Sequence, residues 1–329
     1  MAKESAGGQK LKESLRNKLL LSMAFAALIY FGFLLWSGWE DFVGHLKRFP
    51  LYLLAPVLAL SLVNYFIRYL KFDIYLRLLG YEVKRLLGFR IFLAGLAGTV
   101  TPGKLGEVLK SFLLERDCNA PIAKTAPIVV AERFTDLTAL IFLTLLGLKD
   151  IKGDWTPVLG GIALVTAMFV IVSWRSLCNG IIEWLKKRGG FLASLGEKLG
   201  EAYSSTAVML APKQLFYPSL ISVFSWSCEC LGFYIVLWGF GVKLTLARAT
   251  FIYCFATLAG ALAMLPGGLG ATEAIMVAFL SKSGVNKTEA TAATLIIRSC
   301  TLWFAVLVGG LSLATISPKE EKPEDLLSH

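Results

Sequence analysis

The sequence predicts an all-α fold: a polytopic integral membrane protein with two inverted-topology repeats, each containing a re-entrant helix pair broken by proline and glycine. Three observations lead to this prediction. Of the 329 residues, 56% are hydrophobic and only 17% are charged, whereas a soluble domain carries about 25% charged residues. Several apolar runs approach the roughly 20 residues that span a bilayer as a helix. Two further stretches, 89–114 and 249–281, are apolar, interrupted by Pro-Gly clusters, and similar to each other.

The charged, histidine and cysteine residues exclude several classes of protein. The net charge is +10, but the basic residues lie at the edges of apolar runs, as in loops that face anionic lipid, so no nucleic-acid partner is predicted. The six cysteines form no CxxC pair and are interpreted as small apolar residues. The two histidines, His45 and His329, lie in a loop and at the terminus, which excludes histidine metal sites inside the membrane. No metal and no cofactor is predicted.

Apolar runs and loop charges divide the chain into segments. The basic tail 1–18 is assigned to the cytoplasm by the positive-inside rule. The predicted location is the cell membrane, and both termini are cytoplasmic if 89–114 and 249–281 are re-entrant. The remaining segments are a first transmembrane helix (19–36) with an outside loop to residue 48, repeat 1 (49–148), a connecting helix with a cytoplasmic amphipathic segment (149–212), repeat 2 (213–316) and a polar tail (317–329). Spans after the first are predicted at 51–71, 126–147, 157–174, 216–238 and 290–315.

The two broken stretches carry the same motif. Both contain Leu-Ala-Gly, then Pro-Gly-x-Leu-Gly, then a glutamate, with the prolines at Pro102 and Pro266. Arg133 follows Pro102 by 31 residues, and Arg298 follows Pro266 by 32. The predicted spans agree with the loop charges only if 89–114 enters the membrane and returns to the cytoplasm. Likewise, 249–281 must enter the membrane and return to the outside. Helices broken near mid-membrane within inverted repeats are typical of secondary transporters, because freed backbone groups are tolerated only beside a cavity or other protein.

Ionisable residues lie within or next to these apolar stretches. Each costs about 2.5–3.5 kcal/mol at the bilayer centre, so we expect them to face inward and pair. The candidate substrate-binding residues are Lys104, Glu107, Lys110, Glu132, Arg133, Asp136, Glu273 and Arg298. The candidate backbone residues of the re-entrant loops are Pro102, Gly103, Gly106, Pro266, Gly267, Gly268 and Gly270.

Two interpretations of these charges remain open. Glu107 with Arg133, and Glu273 with Arg298, could be structural ion pairs that hold the loops. Alternatively, the cations offer charge to a phosphate headgroup, while the glutamates position them or carry a coupling proton. Glu229, inside the span 216–238, is interpreted as structural.

The stretch from Gly98 to Lys104 nearly fits the phosphate loop G-x-x-x-x-G-K-[ST]. Leu105 stands where the Mg²⁺-binding hydroxyl would be, and no strand precedes the motif, so direct ATP hydrolysis is excluded. A helix N-terminus after Pro-Gly still favours an anion, such as a lipid phosphate.

These motifs resemble the transmembrane, flippase-like domain of the lysylphosphatidylglycerol synthase family. The resemblance rests on Pro102-Gly-Lys-Leu-Gly-Glu107-Val-Leu-Lys110, Ala131-Glu-Arg-Phe-Thr-Asp136 and Pro266-Gly-Gly-Leu-Gly-Ala-Thr-Glu273, and covers about residues 15–315. Family members often have Arg where Lys104 and Lys110 stand; the lysines of this chain keep the charge but lack the bidentate phosphate geometry of arginine. The aminoacyl-transferase domain of the full synthases is absent, so this chain is not expected to make lysyl-lipid.

The resemblance implies movement of a phospholipid or a polyprenyl-phosphate lipid between leaflets by a flippase or scramblase that is not an enzyme. The expected partner is therefore a membrane lipid, with an anionic phosphate headgroup. The alternative is a non-catalytic accessory subunit that docks a glycosyltransferase or lipid synthase, an enzyme partner in the cytoplasm or the membrane. An intramembrane enzyme acting on lipid phosphate is the least favoured reading.

Overall fold

A computed structural model describes residues 49–101, 106–147, 156–188 and 190–316, and every regular element within these ranges is a helix. The first group is α1 (Leu54–Leu78, preceded by a 3-10 turn Leu51–Leu53), α2 (Arg85–Leu96), α3 (Leu109–Cys118), α4 (Ile122–Thr125), α5 (Pro127–Leu146) and α6 (Thr156–Ser173). The second group is α7 (Arg175–Lys186), α8 (Gly190–Met209), α9 (Pro212–Gly239), α10 (Leu246–Leu262), α11 (Ala271–Lys282), α12 (Lys287–Arg298) and α13 (Phe304–Thr315). The all-α prediction is confirmed for this part of the chain.

Three helices among the described residues are long and apolar enough to cross a membrane. They cover Leu51–Leu78, Pro212–Gly239 and Lys287–Thr315, with 28, 28 and 29 residues. At about 1.5 Å per residue each measures about 42 Å, more than the roughly 30 Å hydrocarbon core. The helix Leu246–Leu262 is apolar but shorter.

Helices form at each predicted span that the structure describes. The spans 51–71, 126–147, 157–174, 216–238 and 290–315 all fall on helices, although α1 continues to Leu78. The 20-residue helix α5 carries three charged residues, Glu132, Arg133 and Asp136. The first predicted span, 19–36, and the tail 317–329 lie outside the described residues. The orientation of the chain in the membrane stays a prediction.

Both Pro-Gly stretches interrupt their helices as expected. In the first, α2 passes into a 3-10 turn, Ala97–Val100, and regular helix resumes at Leu109. In the second, α10 ends at Leu262, a 3-10 turn covers Pro266–Gly268, and α11 starts at Ala271. The breaks are therefore present, and their re-entrant path stays a prediction.

Helices α1 and α9 end in the same way. Gly80 (φ 83°) follows α1 and Gly241 (φ 74°) follows α9, 161 residues later. Tyr81 N donates to Leu76 O at 2.9 Å, and Val242 N donates to Leu237 O at 3.0 Å. These backbone bonds close a Schellman-type cap, which favours glycine at the left-handed position.

The two halves of the chain, taken here as residues 49–148 and 213–316, each pack a corresponding helix on the other half. In the first half, α2 packs on α13 of the second half; in the second half, α10 packs on α5 of the first. Glycines allow both approaches: a Cβ on Gly309 would lie 2.3 Å from Ala97 N, and one on Gly147 would lie 2.6 Å from Ala247 O. The 3-10 turns of the two breaks, Ala97–Val100 and Pro266–Gly268, also touch. The breaks therefore meet between the two halves.

The segment 175–212, predicted to be amphipathic and broken by glycine, forms the packed pair α7 and α8, which meet at Gly190 (φ 57°). On α7, Ile182 and Leu185 are buried, while Ile181 and Trp184 are exposed. Exposed Lys186, Lys187 and Arg188 follow directly. A helix with such faces is suited to a membrane surface.

Candidate functional site

A cavity of about 300 Å³ lies where the two halves meet. Its walls come from α1, α5, α6, α9, α10, the second break and the α12–α13 region, together with Thr99 of the first break and Thr272 of α11. Among the described residues, the charged ones that line it are Arg68, Arg133, Asp136, Glu229 and Arg298. Most other lining residues are apolar or aromatic, among them Tyr65, Leu137, Leu140, Trp226, Tyr253 and Leu302. The cavity is a largely apolar space into which a few charges converge, the usual composition of a ligand site.

Asp136 is the centre of a buried charge cluster on the α5 wall. Lys71 Nζ, which is fully buried, lies 2.6 Å from Asp136 Oδ1 and also donates to Ser222 Oγ at 2.7 Å. Arg133 Nη2 lies 3.4 Å and Arg68 Nη2 4.0 Å from Asp136 Oδ2. The carboxylate thus compensates several cations at once, while Arg68 is held at a longer distance than the others.

A second group of charges lies beside this cluster and connects the first break to α5. Lys110 Nζ lies 2.6 Å from Glu132 Oε2 and 3.6 Å from Glu107 Oε2. Arg133 Nη2 lies 3.1 Å from Glu107 Oε2, which is the pair anticipated from the sequence. The ammonium of Lys110 is also 5.1 Å from the ring centroid of Phe72, a distance at which the ring face attracts a cation.

The first break is closed by backbone contact. A Cβ on Gly98 would lie 2.2 Å from the carbonyl carbon of Gly106, so the two glycines are pressed together. The Gly106 N–H donates to Thr101 Oγ1 at 2.7 Å. Pro102, Gly103 and Lys104 lie outside the described residues, so the placement of these candidates stays a prediction.

The second break is held by the other anticipated pair, Glu273 with Arg298. Arg298 Nε donates to Glu273 Oε1 at 2.6 Å, and Arg298 Nη2 donates to Gly267 O at 2.7 Å. Glu273 Oε2 accepts from Gly270 N at 2.7 Å, which caps α11. Gly267, Gly268 and Gly270 all have positive φ (59°, 69° and 85°), a conformation in which Cβ-bearing residues are strained.

A π-helical turn, Ser299–Trp303, follows Arg298 and joins the cavity to α1. Its backbone carbonyls are used by α1: Ser61 Oγ donates to Cys300 O at 2.8 Å, and Tyr65 Oη donates to Thr301 O at 2.8 Å. On the facing wall, Tyr253 Oη donates to Glu229 Oε2 at 2.6 Å. Single π-turns of this kind are frequent at functional sites.

The structure separates the predicted site residues into two sets. Arg133, Asp136, Arg298, Gly267 and Gly268 line the cavity. The others that are described stand behind this lining. Glu107, Glu132 and Glu273 are buried as partners of cations, and Lys110 is buried against Glu132 and Glu107. Gly106, Pro266 and Gly270 belong to the breaks.

Sequence reasoning missed Arg68 and Lys71. Both lie near the end of the predicted span 51–71, and no role was predicted for either, although the helix continues for two more turns. The sequence could have identified them, because a basic residue inside an apolar span is costly enough to need a function or a partner. Glu229 was noticed as a structural residue, and the structure places it on the cavity wall. Trp226 and Tyr253 carried no comparable signal, since aromatic residues are common in any apolar span.

The chemistry of the lining suits an anion. Guanidinium groups present several N–H donors in a plane and bind carboxylate or phosphate oxygens in a bidentate manner. Three of them converge on one cavity. Within the described ranges, no group of three or more His, Cys, Asp or Glu side chains could hold a metal ion.

Comparison with known proteins agrees with this architecture. Residues 20–309 match the family described as the lysylphosphatidylglycerol synthase TM region. A UPF0104 membrane protein of Methanothermobacter thermautotrophicus is 28% identical over 80% of this chain and 85% of its own length. UPF0104 membrane proteins of Pyrococcus horikoshii and Methanocaldococcus jannaschii are 24% and 23% identical, over 67% and 68% of this chain and 74% and 98% of their own lengths.

The family match extends over most of the 329 residues, and membrane-spanning helices occur in the part that the structure describes. This chain is a multi-pass membrane protein that belongs to the lysylphosphatidylglycerol synthase transmembrane-region family.

Proposed function

We propose that this protein moves a phosphate-bearing lipid, a phospholipid or a polyprenyl-phosphate lipid, between the leaflets of the cell membrane. The observation that carries the proposal is the convergence of Arg68, Arg133 and Arg298 on one cavity between the two halves. The headgroup phosphate would bind these guanidinium groups, and the buried carboxylates behind them would hold the cations in place.

The energetic argument starts from the cost of the charges. An ionisable side chain at the bilayer centre costs about 2.5–3.5 kcal/mol, and such residues commonly mark substrate pathways. A merely structural pair can be replaced by apolar residues with little loss. The cavity brings more guanidinium groups together than are needed to hold the breaks, since Arg68 takes no part in either one. A transport role explains why these charges are retained.

We further propose that the two halves are inverted repeats whose broken helices are re-entrant. The matched caps after α1 and α9, the breaks in corresponding positions and the reciprocal packing of α2 and α10 support a repeat. A site between inverted repeats can be exposed alternately to each leaflet when one half rocks against the other.

A second candidate is an accessory subunit for a lipid synthase or glycosyltransferase. It is favoured by the α7–α8 pair, where exposed Trp184 and Ile181 are followed by Lys186, Lys187 and Arg188. An acidic face of a partner enzyme could dock there. This role needs no lipid movement by the purified protein.

The test is leaflet exchange in proteoliposomes. NBD-labelled phosphatidylglycerol and an NBD-labelled polyprenyl phosphate are followed by dithionite reduction for the native protein, Arg133→Gln and Arg298→Gln. Arg77→Gln is the control, because Arg77 lies on α1 with 58% of its side chain exposed and does not line the cavity.

We expect exchange of at least one lipid by the native protein and by Arg77→Gln, and at least a tenfold loss in both cavity variants. Size-exclusion profiles and melting temperatures show whether the variants are folded. If folded native protein exchanges neither lipid, transport of these lipids is ruled out and the accessory-subunit function is favoured. If Arg133→Gln and Arg298→Gln exchange lipid at the native rate, the arginines are structural.

A further inference from the structure

The cavity has a charged floor and an apolar mouth. On the floor, Arg68 and Arg298 are each 6% exposed. At the mouth, four lining residues are large, apolar and exposed: Val130 by 41%, Leu164 by 38%, Met264 by 66% and Leu265 by 38%. They come from α5, α6 and the second break, so two helices and a turn contribute to the mouth.

The size of the cavity limits what it can hold. A volume of about 300 Å³ is at the lower end for small-molecule sites. That volume suits a phosphate headgroup but not the hydrocarbon chains of the same lipid. When a lipid headgroup lies at the arginines, its chains must leave through an opening whose surface is apolar.

The backbone at Met264, one of the four mouth residues, has an unusual conformation. Met264 has φ 54°, and of the non-glycine residues that the structure describes only Asn119 shares such a positive φ. This conformation costs a non-glycine residue free energy, and its persistence suggests a role. It occurs in the turn between α10 and Pro266, where the Met264 side chain lines the cavity and remains exposed.

We propose that the lipid reaches the arginines sideways from the bilayer, with its chains lying across Val130, Leu164, Met264 and Leu265. This inference rests on the proposed function and adds to it the part of the substrate that the mouth recognises. The apolar mouth is continuous with the cationic floor, which favours an occupant that is anionic at one end and hydrocarbon at the other. A soluble phosphate would satisfy the floor alone.

The experiment narrows the mouth without touching the floor. Leu164→Trp and Leu265→Trp add bulk at the mouth. Leu159→Trp is the matched control, because Leu159 lies on α6 with Leu164 and is also exposed but does not line the cavity. Exchange of NBD-phosphatidylglycerol is measured in proteoliposomes. Binding of dimethyl phosphate, a diester without chains, is measured by isothermal titration calorimetry in detergent, and uptake of radioactive inorganic phosphate is measured in the same vesicles.

We expect Leu164→Trp and Leu265→Trp to lose lipid exchange at least tenfold while their affinity for dimethyl phosphate stays within twofold of native. Leu159→Trp should match the native protein in both measurements. If lipid exchange in the mouth variants equals that of Leu159→Trp, while Arg298→Gln abolishes it, the sideways path is wrong and the proposed function stands.

If the native protein takes up inorganic phosphate and exchanges no lipid, the substrate is a soluble anion and both proposals fall. If both mouth variants lose dimethyl phosphate binding together with exchange, the substitutions have disturbed the floor. The smaller substitutions Leu164→Phe and Leu159→Phe then test the sideways path. If lipid passes through the mouth, Leu164→Phe exchanges lipid more slowly than Leu159→Phe; equal rates would contradict the path.

Discussion

The two breaks share one glutamate–arginine pair and differ in the charged residues around it. In each half, a glutamate after the break pairs with an arginine of a later helix: Glu107 with Arg133 at 3.1 Å, and Glu273 with Arg298 at 2.6 Å. Around the first pair stand Lys110, Glu132 and Asp136. By their spacing from the paired residues, the positions that correspond to them in the second half are Met276, Ile297 and Thr301.

This difference distinguishes the charges that stabilise a break from those that position residues at the cavity. The pair common to both halves is sufficient to organise the second break, where Arg298 also donates to a loop carbonyl. The additional charges of the first half are therefore not needed for a break as such. We interpret them as the support that places Arg133 and Arg68 at the cavity.

Making the first half resemble the second at Lys110 should have the largest effect on stability. Lys110→Met leaves the buried Glu132 without its cation at 2.6 Å. Removing one partner of a buried pair costs about 3–5 kcal/mol of the free energy of unfolding. Denaturant unfolding in detergent, followed by circular dichroism, measures the loss.

The double variant Lys110→Met/Glu132→Ile is the control, because it installs the apolar pair found at the corresponding positions of the second half. It should recover most of the lost free energy, since a buried ion pair is often replaceable by apolar residues. A single variant that unfolds at the native midpoint would show that this charge is not structural support.

The glycines that approach the breaks should differ in their tolerance of a methyl group. A Cβ on Gly98 meets the Gly106 backbone at 2.2 Å, whereas one on Gly260 meets the Thr272 hydroxyl, which can rotate away. Overpacking typically costs about 1–3 kcal/mol. We expect Gly98→Ala to cost about 3 kcal/mol or more and Gly260→Ala about 1 kcal/mol, measured as above. On Gly260 the added Cβ would lie 2.0 Å from Thr272 Oγ1, so the two sites differ in the mobility of the neighbour and not in its distance. Equal losses would contradict this distinction between a fixed backbone neighbour and a side chain that rotates.

Substitutions at the two matched helix caps, Gly80 and Gly241, should have the smallest effects on the free energy of unfolding. Gly80 and Gly241 have positive φ with no atom within 4 Å of an added Cβ, so alanine meets only backbone strain. We expect Gly80→Ala and Gly241→Ala each to cost about 1 kcal/mol, with midpoints shifted by similar amounts. A large loss in one and none in the other would argue against equivalent ends for α1 and α9.

Local features of the site were predictable from the sequence, because they depend on local rules. Pro-Gly clusters interrupt helices wherever they occur, and charges in apolar stretches must find partners. Both ion pairs of the breaks were therefore anticipated by residue number. The cavity was not, since it depends on how α1, α5, α9 and α10 pack, which no local pattern specifies.

Arg68 and Lys71 show where the sequence argument failed. The predicted span of about 20 apolar residues ends at residue 71, and no partner or site role was predicted for either cation. In the structure α1 continues to Leu78, with the Asp73–Arg77 pair on its last turns. The buried part of a helix is set by its neighbours, and Lys71 is buried because Asp136 and Ser222 meet it.

Leaflet exchange by Arg68→Gln tests the central claim most directly. Arg68 lines the cavity and lies 4.0 Å from Asp136, which keeps Lys71 at 2.6 Å, so the variant should fold. Arg77→Gln, on the same helix but exposed, is its control. We expect folded Arg68→Gln to exchange phosphate-bearing lipid at least tenfold more slowly than Arg77→Gln. Equal rates for the two folded variants would contradict a phosphate site at this cavity.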